Sequence, residues 1–254
     1  MTTATKIRGS SDDPLSREKS LGQESLGLRE KNKIDKLRRI KDAARALFVS
    51  KGFDDTTTRE IALRAGVGIG TVFIYADNKR DLLFLVANDE LAATTSQAEA
   101  SVRDDASCLQ NLLTAFRLHY EFFGRQPELS RLMLREMTFY DSGRQADRFQ
   151  ATRDRVISLV GSIMKRAQER RLLRSREDPA FIGWVAFCVF QVELRRWLMT
   201  RDLDVNEGMQ ALQRALTLFM QGLAPADGSL AISQRPARKE QRTRKASTRA
   251  NARD

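Results

Sequence analysis

Proline narrows what this chain can fold into more than any other residue, because only five occur in 254 positions and each stands at an edge. Pro14, Pro127, Pro179, Pro225 and Pro236 leave long tracts rich in Leu, Ala, Arg, Glu and Gln, which favour helix. Within those tracts apolar residues recur every three or four positions, the period of a helix with one buried face. From Lys33 the pattern runs through Ile34, Leu37, Ile40, Ala43, Leu47 and Phe48, and stops at Gly52. Thr57 and Glu60 have the spacing of a capping box, so a second helix opens there. Gly66 ends it about two turns later. Gly68 can cap a third helix, Ile69–Tyr75, and a fourth starts around Asn78 and continues toward Ala93. Two short helices joined by a glycine turn behind a longer helix make a helix-turn-helix.

The rest reads as a larger helical body, giving an all-α chain. Leu109, Leu112, Leu113, Phe116, Tyr120 and Phe123 form one stripe, and a further helix follows Pro127. A long helix is predicted over 145–171. The helix after Asp178-Pro179 opens with turns that are apolar all round, so they need cover on more than one side. In the last helix Val205, Met209, Leu212, Leu216, Phe219 and Leu223 alternate in steps of four and three, the spacing of a helix–helix seam. Residues 1–30 are expected to be a disordered leader, 31–80 a helix-turn-helix domain and 81–224 a regulatory and dimerisation domain. Residues 225–254 are expected to be a disordered basic tail.

Charge is concentrated. Of the net +11, residues 31–80 hold twelve basic and six acidic residues, and residues 225–254 hold eight and three. The remainder is balanced. A local positive footprint suits a polyanion such as nucleic acid, or an anionic membrane surface. Cys108 and Cys188 lack metal-ligand or redox spacing and read as buried thiols of a cytoplasmic protein. His119 is the single histidine. No phosphate loop, nucleophile elbow or metal-ligand cluster is present, so no catalytic residues, metal or cofactor are expected. The longest apolar run, Ala180–Phe190, is about half of the ~20 residues that span a bilayer.

Residues 33–83 resemble the DNA-binding domain of the TetR/AcrR family of transcriptional regulators. The resemblance rests on Phe48 with Lys51-Gly52-Phe53, Thr56-Thr57, Glu60-Ile61-Ala62, Ala65-Gly66-Val67, Gly70-Thr71-Val72-Phe73, Tyr75, and Lys79 followed by Leu82. It implies a repressor that binds an inverted-repeat operator in double-stranded DNA as a homodimer. The DNA-contacting set is then Thr57, Thr58 and Arg59 at the second helix, Gly68, Ile69, Gly70, Thr71, Phe73 and Ile74 on the third, and Tyr75 and Lys79 on phosphates. Ile69 and Ile74 stand where that family commonly has polar or basic residues, and Ala76 replaces a usual Phe. Gly68 stands where the family most often has a small polar cap, and with Ile69 and Ile74 it leaves fewer side-chain hydrogen bonds for reading bases.

The resemblance also implies a small-molecule effector pocket in the body. The residues assigned to it are Phe116, His119, Tyr120, Phe123, Met133, Met137, Trp184 and Phe187, a lining that suits a largely apolar molecule. The dimer interface is assigned to the helices near 178–201 and 204–223. A different class of function, a nucleic-acid or membrane-surface adaptor working through the basic tail, would keep its binding without residues 33–83. A helical enzyme is the weakest reading.

Overall fold

The structure is a computed structural model that describes residues 14–173 and 175–222. The tail expected at 225–254 lies outside the described residues. Among those residues there are nine α-helices, one short 3-10 turn and no strand. Helix α1 spans Pro14–Ser50 and is followed by α2 (Thr58–Ala65), α3 (Ile69–Tyr75) and α4 (Lys79–Ala100). The body adds α5 (Cys108–Gly124), α6 (Pro127–Glu136), a 3-10 turn at Met137–Phe139, α7 (Ala146–Glu169), α8 (Pro179–Leu198) and α9 (Val205–Gln221). No helix among the described residues is long and apolar enough to cross a membrane.

The head folds as its sequence pattern predicts, with one correction. Helix α1 begins at Pro14 and not near Lys33, so the expected leader through residue 30 is helical from there on. Proline is well placed as a first helical residue, and the Arg, Glu, Lys and Leu that follow are good helix formers. Residues 27–34 stay exposed, and packing begins in earnest at Ile40, Ala43, Ala44 and Phe48. Ile61, Ala62 and Ala65 of α2 and Val72 of α3 join that core. A seven-residue helix is unstable alone, so α3 depends on Val72. Its full burial is worth ~1.5–3 kcal/mol.

Helix α4 ties head to body. It is buried through most of its length, packing on α1 at one side and on α5 and α7 at the other. One continuous apolar core therefore runs from α1 to α9. The α7–α8 pair is the most extensive contact in the body. It closes where Gly183 lies on Gly161, so near that a Cβ on Gly183 would sit 2.6 Å from the Gly161 Cα.

The seam predicted for the last helix forms within the single chain. Met209, Leu212 and Leu216 are buried inside the single chain, where α9 packs on α5 and α8. Val205 and Phe219 pack against the same core, and Leu223 lies outside the described residues. The four/three stripe is thus an internal seam. What α8 and α9 present outward is a different set: Phe181, Trp184 and Val192 on α8, and Leu218 on α9. The other tryptophan, Trp197, is buried and donates its Nε1–H to the Asp204 carbonyl at 2.9 Å.

Candidate functional site

The turn between α2 and α3 is built from local chemistry. The Thr57 hydroxyl accepts from the Glu60 amide at 3.2 Å, and the Glu60 carboxylate accepts from the Thr57 amide at 2.8 Å. This is the reciprocal capping box that the spacing predicts. The Lys51 ammonium, followed by the two Thr57 bonds, holds the Glu60 carboxyl at about 2, well below the usual carboxylate range. At the other end Gly66 adopts φ 61°, a left-handed conformation that closes α2. Arg39 of α1 caps that same end by donating to the Ala65 carbonyl at 2.8 Å. Gly68 and Gly70 need no positive φ. Gly68 is extended and caps α3, while Gly70 lies within it.

Helix α3 is thereby held by one side and open on the other. Val72 points into the head, whereas Ile69, Phe73 and Ile74 are 38%, 42% and 62% exposed. Gly68 and Gly70 share the exposed surface, with open space where a Cβ would be. Thr71 is half-buried, Thr58 is half-buried and Arg59 is exposed. The Thr57 hydroxyl is committed to the helix start, donating to Glu60 at 2.9 Å as well as accepting from it. Tyr75 and Lys79 sit at the edge of the head with partners of their own. The Tyr75 hydroxyl donates to the Lys33 carbonyl at 3.3 Å, and Lys79 donates to the Asp54 carbonyl at 2.9 Å with its ammonium over the Phe53 ring. Both tethers fix where these polar groups stand relative to α3.

A group of residues that sequence reasoning missed joins this head to the body. Asp81 is fully buried at the start of α4, and its carboxylate accepts from the Asp77 amide at 2.8 Å, the Arg144 amide at 3.0 Å and the Gln145 amide at 2.8 Å. The Tyr140 hydroxyl donates to it as well. Burial and this carboxylate push the Tyr140 phenol far above its ordinary value. Around this centre Arg144 pairs with Asp77 at 2.7 Å, Gln145 donates to the Tyr75 carbonyl at 3.1 Å, and Arg80 pairs with Glu136 at 3.0 Å. Asn78 three residues before Asp81 was a legible helix start. The long-range partners carried no local signal.

Several of the residues expected to line a pocket around His119 pack closely together. Phe116, His119, Tyr120 and Phe123 do lie on one buried face of α5. Phe116 stacks on Phe190 with ring centroids 4.2 Å apart, and the His119 ring meets Phe190 edge-on at 5.9 Å. His119 donates through Nδ1 to the Ala115 carbonyl at 3.0 Å, and its Nε2 lies 3.4 Å from the Thr95 hydroxyl. Desolvation lowers its pKa, and the Ala115 bond only partly opposes this. Phe187 is buried beside Phe190, but Trp184 faces outward at 50% exposure. Met133 lines a small void with Phe122 and Leu129, and Met137 begins the 3-10 turn.

A cavity of about 570 Å³ lies elsewhere, between the end of α7, the start of α8 and the end of α9. Met164, Leu173, Phe181, Ile182, Phe219 and Met220 give it apolar walls, and Ser175, Glu177 and Gln221 supply its polar groups. That volume falls in the range of small-molecule sites. Sequence periodicity missed it because it forms where three helix ends meet.

A glycine-closed pair of short helices in a basic head, one of them open to solvent, on a helical body with a cavity, defines a helix-turn-helix DNA-binding regulator. Residues 40–86 match the family described as bacterial regulatory proteins, tetR family. That match overlaps residues 33–83, which carry the resemblance to TetR-family transcriptional regulators. The fatty acid metabolism regulator protein of Bacillus subtilis is 25% identical over 100 residues, covering 39% of this chain and 52% of that protein, so this match spans about half of the relative. The transcriptional repressor KstR of Mycobacterium tuberculosis is 27% identical over 186 residues, covering 73% of this chain and 81% of the repressor. Among solved structures, Thermus thermophilus FadR, a repressor in complex with lauroyl-CoA, is 26% identical with a TM-score of 0.56, over 74% of this chain and 94% of that one.

Proposed function

We propose that this protein is a cytoplasmic, ligand-responsive repressor that binds an inverted-repeat operator as a homodimer. The observation that carries this reading is α3: a short helix anchored by one buried residue, with its outer face open and twelve basic residues spread over the surrounding head. One such helix reads too few base pairs to be selective alone, and two-fold pairing places a second copy one turn away along the duplex. Thr58, Arg59, Ile69, Gly70, Thr71, Phe73 and Ile74 form the groove-facing set. Tyr75 and Lys79 set register on phosphates, which adds affinity without sequence information. The outward stripe of Phe181, Trp184 and Val192 with Leu218 supplies the surface between copies.

The effector is a largely apolar molecule, and the cavity among α7, α8 and α9 is its site. The lauroyl-CoA complex of the Thermus repressor supports an acyl chain as its chemistry. Release of DNA follows if the molecule binds better to an arrangement that holds the two heads at the wrong separation. Selection from random duplex DNA tests the reading. An inverted repeat bound by two chains, and released on adding lauroyl-CoA, is the expected result. Enrichment of no sequence would overturn it.

A further inference from the structure

The reading helix lacks the side chains that distinguish bases by paired hydrogen bonds. Arg or Lys reads guanine through two acceptors, and Asn or Gln reads adenine through an acceptor and a donor. The sequence of α3 is Ile-Gly-Thr-Val-Phe-Ile-Tyr, with no charged or carboxamide group. Its exposed face is apolar: Ile69, Phe73 and Ile74, with Gly68 and Gly70 leaving the backbone uncovered. An exposed apolar face of this kind needs an occupant. Over 31–80 twelve basic residues stand against six acidic, and with Lys41, Arg45 and Arg80 paired to Asp89, Glu90 and Glu136 the head stays positive. That charge favours a polyanion there, and the major groove of duplex DNA is a polyanion with apolar points inside it. Those points are the 5-methyl groups of thymine, the one base feature in the groove that a hydrocarbon side chain recognises.

We propose that α3 selects its operator through thymine methyls, with Ile69 and Ile74 as the specificity-determining residues. This rests on the operator-binding reading above and names the chemistry that reading leaves open. The two glycines contribute by subtraction. Without Cβ atoms they let the helix lie close enough for short aliphatic side chains to reach the base edges. Lys and Arg around the helix supply salt-dependent affinity, and the apolar face supplies discrimination.

Removing the methyl alone tests this. A duplex selected by the full-length protein is resynthesised with deoxyuridine for thymidine in both half-sites, and binding is measured by fluorescence anisotropy at fixed salt. Affinity should fall about fourfold for each contacted methyl. The Ile69→Ala, Ile74→Ala double variant should bind the two duplexes equally, with the salt slope of the unaltered protein, since phosphate contacts are untouched. Both residues are exposed, so the variant keeps its fold, which helicity and binding to non-operator DNA confirm. Equal binding of both duplexes by the unaltered protein overturns the proposal while leaving the repressor reading intact. So does a methyl preference that survives in the double variant, because duplex shape would then be its source. A protein that enriches no sequence fails at the earlier step and takes both readings with it.

Discussion

At the scale of single residues, three glycines within five positions look equivalent in sequence and do different work. Gly66 holds a φ of 61° and lies 3.2 Å, measured from a Cβ built there, from the Arg39 guanidinium. Gly66→Ala should destabilise the protein by about 1–2 kcal/mol in urea unfolding, the cost of a left-handed non-glycine residue. Gly70 lies inside a helix with nothing near it. Gly70→Ala should leave stability unchanged or raise it by up to about 1 kcal/mol while weakening operator binding. Opposite signs in the two assays separate the turn from the reading surface. His119 gives a second prediction. Its folded pKa lies below the ordinary 6.5, so the unfolded chain takes up the proton first. Stability should hold above that pH and decline as pH falls below it, by at most about 1.4 kcal/mol per unit for one proton. His119→Leu should remove the decline in that window, as paired urea titrations at two pH values would show. The Glu60 carboxyl acts lower, toward about 2, where its protonation weakens the α2 cap.

At the scale of elements, what was legible was anything fixed by neighbours in sequence. The capping box and the boundaries of α2 and α3 follow from spacing alone. Periodicity could not say what covers a stripe. The α9 pattern marks a buried face correctly, but its partners are α5 and α8 of the same chain and not a second copy. The same limit hid Asp81, whose partners Tyr140, Arg144 and Gln145 come from the connection between α6 and α7. Asp81→Asn keeps the volume and loses the charge on which those bonds converge. It should cost roughly 1.5–3 kcal/mol, the range for hydrogen bonds to a charged group. Because α4 carries the head, operator affinity should fall more than low-salt affinity for random DNA. Equal losses in both assays would show that Asp81 has no part in orienting the head.

At the scale of the whole molecule, the surface left over by one chain decides how two would meet. Leu216 is fully buried, so an acidic residue there would unfold the body and report nothing about assembly. Trp184→Glu with Val192→Glu alters only exposed positions of α8 and should yield a folded monomer by analytical ultracentrifugation, with operator affinity lost. A double variant that stays dimeric would move the interface off α8. The placement of the two tryptophans also has a practical side. They lie on one helix in opposite surroundings: Trp184 half in water beside Phe181, Trp197 dry against Tyr120. The chain thus carries two built-in fluorophores of different colour. Emission from Trp184 should shift to shorter wavelength as copies associate. A Trp184→Phe protein leaves Trp197 as a lone optical gauge of whether the body has stayed closed.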